Sequence, residues 1–285
     1  MCFLLIFFCG VYIGHNKDFP YDILFYLKNF EKYNHYIPTR NFKPKSDTLN
    51  PLKIKLTKNT GVFITYGQSN STCGGELGYK VKNDVYHSIF GHTYFYEDPT
   101  IGSTGNGGSV WGMVGDKLID LGYYDKIVFS NCGFGGQSIV QLKKLKHLGF
   151  LIMNYQFLIS KYGKVDGILF HQGESDNSHA GVKTYYNNFL EMLETLKEFG
   201  IEVPIYLSRA SYCTNKFPIN TDLTKIQNQL ISDFELVRQG PNTDTIIKEE
   251  YRIDDCHFSL KGFEIFSDLW VNTLKNNATL NQRYQ

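Results

Sequence analysis

The sequence predicts an α/β fold in which a mainly parallel sheet is covered by helices on both faces, a three-layer α/β/α sandwich. Two observations support this. From Gly61 onwards, short apolar runs rich in β-forming residues alternate with segments of helical character. Strands separated by helices form right-handed βαβ units, which place the strands parallel to one another. The distinctive polar motifs also follow the apolar runs directly, and in such folds the loops after the strands carry the chemistry.

The elements follow one another through a domain predicted to span residues 59–276. Strands are expected at VFITY (62–66), KIVFSN (126–131), VDGILF (165–170) and VPIYLS (203–208). Helices are expected over 109–121, 138–161, 182–199, 221–236 and 259–275. The motifs GQSN, CGFGGQS and HQGESD follow the first three strands. These motifs should therefore meet at the carboxyl edge of the sheet.

The first fourteen residues, MCFLLIFFCGVYIG, carry no charge. A membrane-spanning helix needs about 20 apolar residues, so this run is short for a span and fits the apolar part of an export signal. We therefore predict a signal or membrane anchor at 1–14, a connector at 15–58 and a tail at 277–285. The protein is expected to be exported or anchored in the cell envelope through its N-terminus. A buried segment of the fold is the alternative for the apolar run.

Composition restricts the partners and cofactors. The chain has 29 Lys and Arg against 28 Asp and Glu, which excludes the basic surface that a nucleic-acid-binding protein uses to neutralise phosphates. Its six cysteines form no CxxC pair and no Cys/His cluster with zinc spacing, so no metal or other cofactor is predicted. An exported domain can form a disulfide. Cys213 and Cys256 are the candidate pair, because each follows a segment predicted to end at the same sheet edge; free thiols are the alternative.

A serine near the start of the predicted domain and a histidine near its end have the contexts of a nucleophile and its base. Ser69 follows a strand that ends at a glycine turn. The same residue types also form ordinary turns that have no catalytic role. His257 precedes the last predicted helix, and histidine is the residue type that most often accepts a serine proton near neutral pH. Asp254, three residues earlier, can hold the imidazole proton; Asp255 is the competitor.

An acyl-transfer intermediate also needs donors for its oxyanion. The Ser69 backbone N–H is one candidate. Gly136, in the turn of GGQS, offers a second N–H without a side chain that would block the substrate. Gln172, in HQGESD, offers a side-chain amide at the end of the third strand.

Four motifs together resemble a known family. Gly67-Gln68-Ser69-Asn70, Gly135-Gly136-Gln137-Ser138, the HQGESD motif and Asp254-x-x-His257 are similar to the four blocks of the SGNH hydrolase superfamily, in its branch of sialate O-acetylesterase-like carbohydrate esterases. The resemblance implies an SGNH, flavodoxin-like sandwich over roughly residues 60–275. It also implies a catalytic triad of Ser69, His257 and Asp254, and an oxyanion hole of Ser69, Gly136 and Gln172.

The same resemblance leads us to expect supporting roles for Gln68, Asn70 and Glu174 around these groups; for Glu174, a simple turn-forming role is the alternative. The predicted function is a serine esterase that removes acyl groups, expected to be acetyl, from an acylated carbohydrate. A carbohydrate O-acetyltransferase using the same triad and a non-catalytic glycan-binding relative are the alternatives. A lipase or peptidase of the α/β-hydrolase type is disfavoured, because the sequence contains no GxSxG motif.

Overall fold

Seven strands form a single sheet in the computed structural model, which describes residues 51–283. The predicted signal or anchor at 1–14, most of the connector at 15–58 and the last two residues of the tail lie outside the described residues. The strands are β1 (Thr60–Gly67), β2 (Val85–Ile89), β3 (His92–Phe95), β4 (Lys126–Asn131), β5 (Gly167–His171), β6 (Ile205–Arg209) and β7 (Val237–Asn242).

The sheet order is β3-β2-β4-β1-β5-β6-β7. All neighbouring strands pair in parallel except β2 and β3, which are antiparallel. The predicted mainly parallel sheet is therefore confirmed, with β2, β3 and β7 added to the four strands expected from the sequence. Just before β1, within the predicted connector, the Leu52 N–H donates to the Thr93 carbonyl at 2.7 Å, so this end of the connector contacts the edge strand.

Six α-helices cover the sheet among the described residues. They are α1 (Trp111–Asp120), α2 (Ile139–Leu142), α3 (Leu145–Tyr162), α4 (His179–Glu198), α5 (Thr221–Asp233) and α6 (Leu260–Arg283). The sequence predicted one helix over 138–161, but Lys144 has extended backbone angles and divides this segment into α2 and α3. The last helix continues to Arg283, beyond its predicted end at residue 275.

The two faces of the sheet are covered by different helices because successive side chains of a strand point to opposite sides. On one face, Phe129 of β4 packs on Trp111 of α1, with ring centroids 5.7 Å apart, and Trp111 packs on Trp270 of α6 at 5.2 Å. On the other face, Phe170 of β5 packs on Phe189 of α4 at 5.4 Å. The predicted three-layer sandwich is thus confirmed.

The strand order changes direction at β1, with β2, β3 and β4 on one side of it and β5, β6 and β7 on the other. In parallel α/β sheets, ligands bind at the carboxyl ends of the strands near such a point. Within the part of the chain that the structure describes, no helix combines the length and hydrophobicity needed to cross a membrane.

Candidate active site

Ser69 lies just beyond the carboxyl end of β1. Gly67 ends the strand with a φ of +134°, and a Cβ at this position would lie 1.9 Å from the His171 carbonyl oxygen of β5. Only glycine therefore allows the chain to turn here. Ser69 then begins a short 3₁₀ helix, which is held by a 2.8 Å hydrogen bond from the Trp111 indole N–H to the Ser71 carbonyl. The result is a partly exposed serine on a buried, fixed turn.

The loop before α6 presents His257 and Asp254 as a hydrogen-bonded pair. The imidazole Nδ1 lies 2.6 Å from Asp254 Oδ2, and Asp254 Oδ1 accepts the His257 backbone N–H at 2.7 Å. The neighbouring Asp255 has a φ of +63°, and its carbonyl accepts the Thr214 N–H at 3.2 Å. The pairing in the structure is therefore with Asp254, which the sequence favoured over Asp255.

The pKa of Asp254 lies below its usual value. Partial burial acts to raise this pKa, but the hydrogen bonds from the side chain and backbone of His257 outweigh that effect and lower it. The Asp254 side chain is 52% exposed and the His257 side chain 26% exposed. The carboxylate is thus ionised near neutral pH and can hold the imidazole in the tautomer that leaves Nε2 free to accept a proton.

Ser69 and His257 approach each other beside Gly74. A Cβ at Gly74 would lie 3.0 Å from Ser69 Cβ and 3.0 Å from His257 Cδ2. Both atoms are therefore within that distance of one point, and any side chain at Gly74 would occupy the space between them. Among the described residues, no hydrogen bond joins the Ser69 hydroxyl to the imidazole, and in unliganded enzymes such bonds are often long or misaligned.

Two backbone N–H groups are candidates for the oxyanion donors. Within residues 51–283, neither the Ser69 N–H nor the Gly136 N–H forms a hydrogen bond. Gly136 is exposed, has a φ of +68°, and a Cβ there would meet no atom within 4 Å. The adjacent Gly135 lies against the serine, because a Cβ at Gly135 would be 3.9 Å from Ser69 Cβ. Gly135 itself is held by a 2.8 Å hydrogen bond from its N–H to Thr104 Oγ1.

Gln172, the third predicted donor, is fully buried and already engaged. Its Nε2 donates to Asp176 Oδ2 at 2.5 Å, to Gln68 Oε1 at 3.3 Å and to the Gln137 carbonyl at 3.4 Å. Two amide protons serve three acceptors, and the Gln137 carbonyl is the most distant of them. Asp176 also accepts the Ile139 N–H at 2.8 Å. It thereby connects Gln172 to the start of α2.

Gln68, Asn70 and Glu174 form a buried hydrogen-bonded layer beneath the site. Gln68 Oε1 accepts the Ser175 N–H at 3.0 Å, which ties the loop after β1 to the loop after β5. Glu174 Oε1 lies 2.9 Å from both Asn70 Nδ2 and His171 Nε2. Burial acts to raise the pKa of Glu174, but the charge and hydrogen bond of His171, aided by Asn70, lower it to about 2.

Arg252 is part of this layer and was not predicted from the sequence. Its buried guanidinium donates to the Cys256 carbonyl, and its Nε donates to the Ile246 carbonyl at 2.8 Å. It also stacks 3.9 Å from the centre of the Phe258 ring. The Cys256 carbonyl accepts a second hydrogen bond from Asn70 Nδ2 at 3.3 Å. Arg252 and Asn70 therefore support the loop that carries His257. No signal in the sequence distinguishes this arginine from an ordinary surface charge.

The cysteines behave as expected from the sequence. Cys213 and Cys256 form a disulfide, so the candidate pair is confirmed. Cys73 and Cys132 are buried and lie outside this disulfide. Burial raises the pKa of the Cys73 thiol, and the nearby Asp98 charge adds to the effect. Across residues 51–283, no group of three or more His, Cys, Asp and Glu side chains is arranged to hold a metal ion.

The sequence model of one esterase family matches this chain. The model described as carbohydrate esterase, sialic acid-specific acetylesterase matches residues 115–263, which is more than half of the chain. The matched segment contains Gly136, Gln172, Asp254 and His257 but begins after Ser69. A comparison with curated protein sequences gives no match.

Solved structures share the fold. A protein from Arabidopsis thaliana has a TM-score of 0.60 and 16% sequence identity, over 78% of this chain and 98% of its own. A carbohydrate acetylesterase from Xanthomonas citri has a TM-score of 0.55 and 14% identity, over 77% of this chain and 57% of its own. The protein NanS has a TM-score of 0.55 and 14% identity, over 81% of this chain and all of its own.

Proposed function

The chain belongs to the carbohydrate esterase family of sialic acid-specific acetylesterases, and on this premise we propose that it removes acetyl groups from a carbohydrate through a Ser69–His257–Asp254 triad. Membership confirms the resemblance found in the sequence and makes the protein an esterase that removes acyl groups. The triad, the acetyl group and the carbohydrate substrate are our proposal. Its main support is the approach of Ser69 and His257 to a common point beside Gly74, with Asp254 hydrogen-bonded to the imidazole.

In the first step, the Ser69 hydroxyl attacks the ester carbonyl and His257 Nε2 accepts its proton. Asp254 holds the Nδ1 proton and stabilises the imidazolium that forms. The imidazolium then donates its proton to the leaving sugar oxygen, which leaves an acetyl ester on Ser69. Water, deprotonated by His257, attacks this ester in the second step and releases acetate.

The negative charge of each tetrahedral intermediate is held by the Ser69 and Gly136 N–H groups, both of which lack an internal partner in the described chain. We assign Gln172 as the third donor. Its amide is already engaged, so it acts by exchanging its longest hydrogen bond, to the Gln137 carbonyl at 3.4 Å, for one to the oxyanion. The exchange is favourable because a hydrogen bond to a charged acceptor is stronger than one to a neutral carbonyl.

We further propose that the protein acts outside the cytosol, in the cell envelope. The Cys213–Cys256 disulfide supports this location, because structural disulfides persist in oxidising compartments. Cell fractionation tests this part of the proposal separately. Recovery of all the protein in the cytosol would contradict it and leave the esterase chemistry unaffected.

Labelling with a fluorophosphonate, followed by peptide mapping, tests the nucleophile. The expected label lies on Ser69, is absent from Ser69→Ala, and is retained by Ser138→Ala, a serine that the fold places on the neighbouring loop. A label on another residue, or none on folded protein, would refute the assignment. Incubation with an acetylated glycan and an acceptor glycan then separates hydrolysis from transfer: an esterase accumulates acetate, whereas a transferase accumulates newly acetylated acceptor.

A further inference from the structure

Arg209, at the end of β6, is a buried cation without a counter-charge. The residue is only 7% exposed, and its Nη1 is sealed from solvent without a hydrogen-bond partner. Its side chain forms no hydrogen bond or ion pair with any other described residue. Burial lowers the pKa of the guanidinium, and no carboxylate counteracts this effect. An uncompensated buried charge is costly, and in native proteins such a group calls for an explanation such as a bound ion.

Arg209 is one of the residues that line a cleft of about 470 Å³ at the edge of the sheet, between β7 and α6. None of the residues that line this cleft is acidic. Two acids directly precede lining residues in the chain, and both are engaged elsewhere. Asp244 accepts the Ser211 and Tyr212 N–H groups at 2.8 and 2.9 Å, and Asp268 pairs with Lys117 Nζ at 2.6 Å. The cleft is therefore electropositive and lacks an internal anion.

Two amide side chains of the cleft have NH₂ groups that form no hydrogen bond with another described residue. Asn242 uses its carbonyl oxygen to accept the Asp244 N–H at 3.2 Å. Asn272 uses its carbonyl oxygen to accept from Lys275 Nζ at 2.9 Å. Because both amide oxygens are occupied, the NH₂ groups remain to donate.

We propose that this cleft is an anion-binding site, in which Arg209, Asn242 and Asn272 bind an oxyanion. The fork of an arginine donates two parallel hydrogen bonds to a carboxylate or a phosphate, and this geometry adds specificity as well as strength. Two ligands can supply such an oxyanion: the carboxylate of an acidic sugar, and inorganic phosphate. The site lies at the edge strand β7, three strands away from β1, and does not depend on the esterase proposal.

Calorimetric titration of the full chain with glucuronate and with inorganic phosphate, at constant pH and ionic strength, tests the site. At least one of the two anions should bind. The anion that binds more tightly shows whether the site prefers a sugar carboxylate or phosphate. Glucose, which resembles glucuronate but is neutral, should not bind. Arg209→Gln should weaken binding at least about tenfold, because it removes charge-assisted hydrogen bonds. Ser69→Ala and Arg238→Gln, a matched loss of charge on β7 outside the cleft, should bind within about twofold of the wild type.

The wild-type protein gives a second readout of binding. The Nε–Hε NMR signal of Arg209, assigned by its loss in Arg209→Lys, should shift in proportion to the calorimetric saturation. Binding of neither anion, equal binding by Arg209→Gln, or saturation without a shift of this signal would overturn the proposal.

Discussion

Replacing Asp254 by asparagine would test whether a half-exposed carboxylate orients His257 for the proposed proton transfer. The substitution preserves shape, and the asparagine Oδ1 can still accept the His257 and Cys256 N–H groups, now at 2.7 and 3.2 Å. The change is confined to the second oxygen, which lies 2.6 Å from His257 Nδ1 and becomes an NH₂ group. Nδ1 must then accept a hydrogen bond, which moves the imidazole proton to Nε2. This tautomer cannot take the Ser69 proton.

The size of the expected loss in kcat depends on how far the Asp254–His257 pair is exposed to solvent. A hydrogen bond to a charged group contributes about 1.5–3 kcal/mol, and about 1.4 kcal/mol corresponds to a factor of ten. We therefore expect kcat to fall by about 10- to 150-fold. The corresponding change in a protease with a buried triad aspartate costs roughly 10⁴. The loss should be smaller here because the Asp254 side chain is 52% exposed and water can partly replace the carboxylate. KM should stay constant, since Asp254 binds no substrate.

Steady-state hydrolysis of p-nitrophenyl acetate measures this effect, with circular dichroism as the check on folding. Asp255→Asn is the matched control, because it removes the same charge one residue away and asparagine tolerates the positive φ of that position. It should keep kcat within about twofold. If folded Asp254→Asn retained more than a third of the wild-type kcat, or if Asp255→Asn were equally impaired, the assignment of Asp254 would be wrong.

Three further outcomes are expected. Gln172→Ala should lower turnover by about 10² to 10³ with little change in KM, measured with the same ester. The low pKa of Glu174 stabilises the fold fully above the ordinary value of 4.5, and this contribution should fade as the pH falls towards about 2; urea unfolding should show a weaker acid dependence in Glu174→Gln. Replacing both Cys213 and Cys256 by serine should lower the free energy of unfolding by about 4 kcal/mol, from the entropy of a loop of 43 residues, and dithiothreitol should then have no further effect.

The strands that the sequence predicted differ from those that it missed in their burial pattern and in their position in the sheet. The central strands are buried on both faces, so they appear as continuous apolar runs. The β2–β3 hairpin contains buried polar residues such as His87 and Thr93, and its turn has Phe90 at a φ of +49°, where Asn, Asp or Gly would have signalled a hairpin. β7 contains Gly240 and Pro241, which argue against an interior strand but are tolerated at the sheet edge.

The site residues divide in a similar way. Ser69 was nominated because it follows a strand that ends at the carboxyl edge of the sheet, and His257 because it lies just before the last helix with an acid three residues earlier. The sequence also favoured Asp254 over Asp255 from its position three residues before the histidine, and in the structure Asp254 pairs with the imidazole. The engagement of Gln172 depends on its distances to acceptors from three separate segments. Tertiary geometry alone supplies this information.

A half-exposed Asp254–His257 pair cannot be held in place by close packing, so its rigidity must come from the layer beneath it. The Cys256 carbonyl lies at the junction of that layer. It accepts hydrogen bonds from Asn70 of the nucleophile loop and from the buried Arg252, while the Cys256 side chain is covalently fixed to the loop after β6. The positions of nucleophile and base are thereby coupled through one backbone group. Because the buried layer provides the order, the proposed Ser69–His257–Asp254 triad can remain partly exposed to solvent at the carboxyl edge of the sheet.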